Sequence, residues 1–337
     1  MKKSSSEGEV VLFFTGGTIS MRPKSDGRGV VPCGDVSQLL ADLAPYVEGV
    51  GLRSVLWSDL PSPHLTPEHM FQLAKSVERV LAEPAVRGAV VIHGTDVLME
   101  SVFMADLVVD SDKPVIYTGS MRFYGESGYD GIRNLINSIR ACMLPLGSME
   151  GVSLLMADRF FNARDVVKIN SLNVNAFEAP GSGPFATVAG DEILITYPSR
   201  NDKKCPRPLI LTDSIDSNVS LVTCYAGMND GLLQHLRHTK ISGLVVEGFG
   251  AGNVPPGLVP GIEALIKDAI PVVLATRCLE GGVYPVYGYS GGGMDLLKKG
   301  VILANRLVGP KAHIQLMTAL GAGYGLDQIR RSFTLGF

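Results

Sequence analysis

Three short stretches set reactive side chains beside glycines or just beyond apolar runs. Thr15-Gly16-Gly17-Thr18 follows the run at 10–14. His93-Gly94-Thr95-Asp96 follows the run at 88–92, and Lys168 stands within residues 162–170. A threonine hydroxyl is a poor nucleophile until a base takes its proton. A lysine amine can serve as that base where burial or nearby positive charge lowers its pKa. A neighbouring aspartate acts the other way, raising the lysine pKa while orienting it, so Lys168 reads as part of a proton relay. Thr15 is the candidate nucleophile. Thr95-Asp96 repeats its pattern, and two threonines on neighbouring strands can face one pocket.

The elements that must position these groups are legible from apolar patterning. Short Val-, Ile- and Phe-rich runs at 9–14, 54–57, 88–92, 113–117 and 151–156 read as buried strands of a parallel sheet. Ligands of open α/β sheets sit beyond the carboxyl ends of the strands, where Thr15, Thr95 and the Lys168 segment are expected, at three successive strands. Thr15 is then expected to hold its hydroxyl at the mouth of that space. Glycines at such ends let a ligand approach the main chain closely. Thr66 reads as an N-cap with Pro67 at the first helical position, and Met70, Ala74, Val77 and Leu81 follow at helical spacing. Further helices are expected up to Leu107 and over 130–144. Residues 191–197 read as a strand of a small hairpin region, and residues 21–29 as a mobile surface loop, a candidate lid.

The polar, proline-rich segment 198–208 reads as a linker between an N-terminal domain, 1–197, and a C-terminal domain, 209–337. Beyond it the alternation restarts, with strands at 219–223, 243–247 and 271–276. Helices are expected at 231–238, 259–269, 310–319 and 326–333. Strands alternating with helices predict an α/β fold.

Composition sets outer limits. The chain has 337 residues, 46% of them hydrophobic, enough for two domains. A net charge of −3 argues against a nucleic-acid partner. No apolar run is long enough for a signal segment or a membrane span. Five scattered cysteines imply no disulfide framework. A soluble, cytoplasmic protein is the expectation. The glycines of 248–250 and 291–293 lack dinucleotide-binding spacing, and no P-loop, HExxH zinc motif or GxSxG elbow is present. Six dispersed histidines form no ligand cluster, and His93 reads as a structural residue at its strand end.

Thr15-Gly16-Gly17-Thr18-Ile19-Ser20, His93-Gly94-Thr95-Asp96 and Arg164-Asp165-Val166-Val167-Lys168, in that order, resemble the bacterial-type L-asparaginases and glutaminase-asparaginases. Lys113-Pro114-Val115, Gly119-Ser120-Met121-Arg122, Asp130-Gly131 with Asn134-Leu135, and Gly309-Pro310-Lys311-Ala312 extend the resemblance along nearly the whole chain. It implies a larger N-terminal, doubly wound, mostly parallel domain and a smaller C-terminal α/β domain, assembled as homodimers or homotetramers. It also implies hydrolysis of L-asparagine to L-aspartate and ammonia with no metal and no organic cofactor. Thr15 matches the nucleophile that forms an acyl-enzyme, and Thr95, Asp96 and Lys168 match the second triad. Gly16, Ser62, Gly94, Thr95, Asp96 and Asn253 match substrate-binding positions. Ser62 would hold the α-carboxylate and Asp96 the α-ammonium, while Asn253 would arrive across the subunit interface. A backbone N–H near Thr95 would stabilise the oxyanion.

The chain also departs from that pattern. Residues 21–31 contain no tyrosine where well-studied members carry one. Pro63-His64 follows Ser62 where many have glutamine, and Val97 follows Asp96 where a polar residue is usual. No acidic residue within 287–293 matches the one that some members send across the dimer. Two alternatives follow: an amidase of the same mechanism acting on glutamine or a specialised amide, and a catalytically weak small-molecule binder.

Overall fold

A computed structural model describes residues 8–23, 29–31, 36–198 and 208–334. The chain divides into two compact units, residues 1–204 and 205–337.

The first unit is built on an eight-stranded sheet. Its order is Glu192–Ile195, Ala186–Ala189, Arg159–Asn162, Val152–Met156, Val115–Thr118, Val86–Ile92, Glu9–Phe14, Gly51–Leu56. The last five of these are parallel to one another. Glu9–Phe14 lies inside the parallel part, and Val10 to Phe14 are at most 2% exposed, so a nearly continuous apolar run is what this position demands. Val10, Leu12 and Phe14 share one core cluster with Leu39 and Leu43 of helix Ser37–Leu43 and Leu135 and Ile139 of helix Gly131–Met143. Val11 and Phe13 therefore face the opposite side of the sheet. Helix Pro67–Leu81 starts as its sequence predicts: Pro67 occupies the first turn and the Thr66 hydroxyl accepts from the His69 N–H.

Register decides where the reactive stretches emerge. Phe14 pairs with Leu56 on one side and Ile92 on the other. Three strands thus end level, and the turns after Phe14, Leu56 and Ile92 leave the sheet side by side.

The antiparallel edge differs from expectation. Met156 turns back through Ala157 and Asp158, both at positive φ (49° and 62°), into Arg159–Asn162. The hairpin expected near 191–197 is the outer part of the same sheet, Ala186–Ala189 pairing with Glu192–Ile195. In the candidate lid, Arg22–Pro23 pairs with Val30–Val31; its residues 24–28 lie outside the described residues, as do residues 199–207 of the expected linker.

The second unit carries a four-stranded parallel sheet in the order Val219–Thr223, Gly243–Gly248, Val272–Thr276, Ile302–Val308. Leu233 of helix Gly231–His238 and Ile262 and Leu265 of helix Val259–Lys267 pack with Leu244, Val246 and Leu274 in its core. Gly309–Gly321 and Leu326–Thr334 are the last helices. No helix among the described residues is long and apolar enough to cross a membrane.

Candidate active site

The first turn continues the sheet by one residue before breaking from it. Thr15 N–H donates to the Ile92 carbonyl at 3.0 Å, and the Thr15 hydroxyl donates to the same oxygen at 3.1 Å. Thr15 is fully buried. This corrects the expectation of a hydroxyl open at the mouth of the cleft: its proton rests on a backbone carbonyl. Gly16 and Gly17 follow at φ 93° and 97°. A Cβ on Gly17 would stand 2.5 Å from Gly94 Cα, so the first two reactive stretches touch backbone to backbone and only glycine fits between them.

The second turn is fixed from beneath. His93 is fully buried, and desolvation drives its pKa from 6.5 down to about 4, so the imidazole is neutral. Its Nδ1 lies 2.7 Å from the Gly94 carbonyl, an acceptor, so Nδ1 carries the proton. This is the structural role read from the sequence. A Cβ on Gly94 would lie 2.7 Å from Ser62 Oγ, and that hydroxyl accepts the Asp96 N–H at 3.2 Å. Ser62 therefore abuts both Gly94 and Asp96.

Lys168 closes the group. Its Nζ donates to Thr95 Oγ1 at 3.0 Å and to Asp96 Oδ1 at 2.8 Å. The lysine side chain is 15% exposed and the aspartate 59%, so the pair stands at a boundary between protein and solvent. The structure corrects the expectation that Lys168 stands at the end of a strand of the large sheet. Lys168 lies in the two-residue strand Val167–Lys168, paired antiparallel with Phe177–Glu178 after the turn at 162–166.

Thr15, Gly16, Ser62, Gly94, Thr95 and Asp96 thus belong to turns beyond the strand ends of the first unit, and Lys168 reaches them from elsewhere in the same unit. Asn253 belongs to the second unit, in a turn where Phe249 N–H donates to the Asn253 carbonyl at 2.7 Å. No group of three or more metal-ligating side chains occurs among the described residues.

Four residues that support these turns carry weak signals in the sequence. Gly119, after the strand Val115–Thr118, backs onto the second turn: a Cβ there would lie 2.4 Å from the His93 carbonyl oxygen and 3.5 Å from Thr95 Cγ2. Asn134 Nδ2 donates to the Gly119 carbonyl at 3.0 Å, and the Asp130 carboxylate accepts the Met121 and Arg122 N–H groups. Ser58 Oγ donates to the Thr15 carbonyl at 2.7 Å; the only clue to it was a hydroxyl just past an expected strand.

Thr95, Lys168 and Asp96, joined by hydrogen bonds beside the carboxyl ends of a mostly parallel sheet, form a proton-relay arrangement of the kind an α/β enzyme uses. Residues 9–201 match the family described as Asparaginase, N-terminal, and residues 218–333 match the Glutaminase/Asparaginase C-terminal domain. A probable L-asparaginase of Deinococcus radiodurans is 37% identical over 332 residues, covering 97% of each chain. An L-asparaginase of Bacillus licheniformis is 32% identical over 317 residues, 93% of this chain and 96% of that one. The crystal structure of a probable cytoplasmic L-asparaginase from Campylobacter jejuni superposes with a TM-score of 0.84 at 26% identity, covering 97% of this chain and 99% of the other. This chain belongs to the asparaginase family, hydrolases that act on amides.

Proposed function

We propose that the chain hydrolyses the side-chain amide of L-asparagine to L-aspartate and ammonia through an ester on Thr15. The observation that carries this reading is the placement of Lys168 Nζ, 3.0 Å from Thr95 Oγ1 and 2.8 Å from Asp96 Oδ1, on a turn whose Gly94 touches the turn of Thr15. In the first step Thr15 Oγ leaves the Ile92 carbonyl and attacks the amide carbon. Its proton passes to the departing nitrogen, and ammonia leaves. In the second step a water activated at Thr95, with Lys168 and Asp96 orienting and relaying protons, hydrolyses the ester and restores the hydroxyl. A backbone N–H near Thr95 stabilises the developing oxyanion; such a donor is commonly worth about 3–4 kcal/mol of barrier. Ser62 takes the α-carboxylate and Asp96 the α-ammonium. The resemblance adds Asn253 of the partner subunit in a homodimer or homotetramer, working in the cytoplasm without cofactor.

One observation favours a second substrate. Pro63 and His64, exposed beside buried Ser62, change the surface next to the carboxylate position, which suits glutamine or a specialised amide. Ammonia release from a panel of amides separates the readings. Release from asparagine above all others is the expected result. Release only from other amides supports the second substrate, and silence with all of them, alongside thermal stabilisation by aspartate, supports a binder. Thr15→Ala should abolish turnover while the protein stays folded.

A further inference from the structure

We propose that Ser58 is a positioning residue that latches the peptide group between Thr15 and Gly16 in its working orientation. The inference rests on the reading of Thr15 as nucleophile and adds a residue to it.

The Thr15 N–H is held by the Ile92 carbonyl, which fixes the amino side of the residue. The carbonyl side is held by the Ser58 hydroxyl at 2.7 Å. Local sterics give that peptide little protection. Rotating it exchanges Thr15 ψ against Gly16 φ, and a glycine accepts φ of either sign. Gly17 follows, also at positive φ, so the chain beyond adds no side-chain barrier. A trans peptide keeps its carbonyl oxygen and its N–H on opposite edges. Drawing the Thr15 oxygen towards Ser58 therefore turns the Gly16 N–H away from Ser58. That bond thus acts on both the direction of the Thr15 backbone and the aim of the next amide, beside the packing of Gly16 on the Leu60 backbone and of Gly17 on Gly94.

The latch has a firm support. Trp57 N–H and Ser58 N–H both donate to the Phe14 carbonyl, at 2.8 and 3.2 Å, so residues 57–58 prolong the strand Gly51–Leu56 alongside the end of Glu9–Phe14. Ser58 is only half-buried, and its hydroxyl is not needed to fill a core. Its position on the neighbouring strand, and its bond to the backbone of the candidate nucleophile, distinguish it from a hydroxyl that caps its own turn.

The test compares Ser58→Ala, which removes the donor, with Ser58→Thr, which keeps it. Ser58→Ala should lower kcat roughly tenfold, about 1.4 kcal/mol, with KM within about twofold because Ser62 and Asp96 hold the substrate's charged groups. Ser58→Thr should restore most of kcat. Amide hydrogen exchange at Gly16 and Gly17 should quicken in Ser58→Ala and return to the wild-type rate in Ser58→Thr. Ser58→Cys, of similar shape with a weaker donor, should fall between them and replaces Ser58→Ala if that variant fails to fold. Unchanged kcat in folded Ser58→Ala, or in Ser58→Cys where it stands in, overturns the proposal, as does unchanged exchange at Gly16. If the wild-type protein releases ammonia from no amide, the nucleophile reading fails by itself. The exchange rates then still decide whether Ser58 holds the peptide.

Discussion

Acidification from pH 7 to pH 4 should cost the first unit about 3 kcal/mol through His93 alone. Burial moves this imidazole from 6.5 down to about 4. Between those values the unfolded chain holds a proton that the folded chain excludes. Unfolding therefore takes up a proton, and stability rises with pH across the window: complete above 6.5, lost as pH falls to 4. At about 1.4 kcal/mol per pH unit of displacement, less the half-titration at pH 4, the loss is about 3 kcal/mol. His313 shifts in the same direction by burial, and Asp42, Asp268 and Asp295 have lowered values that also favour the folded state at neutral pH. The measurement must therefore be a difference. Urea unfolding followed by Trp57, the chain's single tryptophan, would be recorded at pH 7, 5.5 and 4 for wild type and His93→Asn. The variant should be less stable at pH 7 and should lose about 3 kcal/mol less than wild type by pH 4. Parallel pH profiles for the two proteins would refute a buried, neutral His93.

Lys168→Met should lower kcat by roughly 10²–10⁴ while moving the thermal midpoint little, because its carboxylate partner is 59% exposed and such pairs contribute about 0–1 kcal/mol; steady-state kinetics with a melting curve checks both. Ser62→Ala should raise KM for asparagine at least about tenfold, the loss of one charge-assisted bond, with a smaller change in kcat. An unaltered KM would remove Ser62 from the carboxylate position. Gly17→Ala should be destabilised by more than about 1–3 kcal/mol of backbone strain, since its methyl would also meet Gly94 Cα at 2.5 Å, and a wild-type midpoint would contradict the close approach of the two turns.

Much of this arrangement was legible because burial and polarity coincide along the chain. Val10 to Phe14 and Val90 to Ile92 are apolar without interruption and lie where both faces of the sheet are covered, so the strands and their ends could be read directly. Thr66 and Pro67 announced the start of their helix through local capping chemistry, and Met70, Ala74, Val77 and Leu81 its buried face. Other features depend on partners distant in sequence. Arg159–Asn162 reverses direction through Ala157 and Asp158, a tight turn without the glycine or asparagine that usually marks positive φ. Asn305, at φ 55°, lies within Ile302–Val308 and blurs that strand's pattern. The loose point in the site was the seat of Lys168, since a two-residue strand held by Phe177–Glu178 carries no periodicity. The burial of Thr15 was equally hidden: it follows from Ile92 accepting both of its protons, a matter of register between strands 77 residues apart.

The sharpest test is to find where the substrate's acyl group becomes attached. The folded protein, and Lys168→Met to slow release of the ester, would be mixed with L-asparagine, quenched in acid and mapped by peptide mass spectrometry. An aspartyl ester on the peptide holding Thr15, absent from Thr15→Ala, is the predicted result. An ester on Thr95, or steady ammonia release by Thr15→Ala, would contradict the assignment of the attacking hydroxyl.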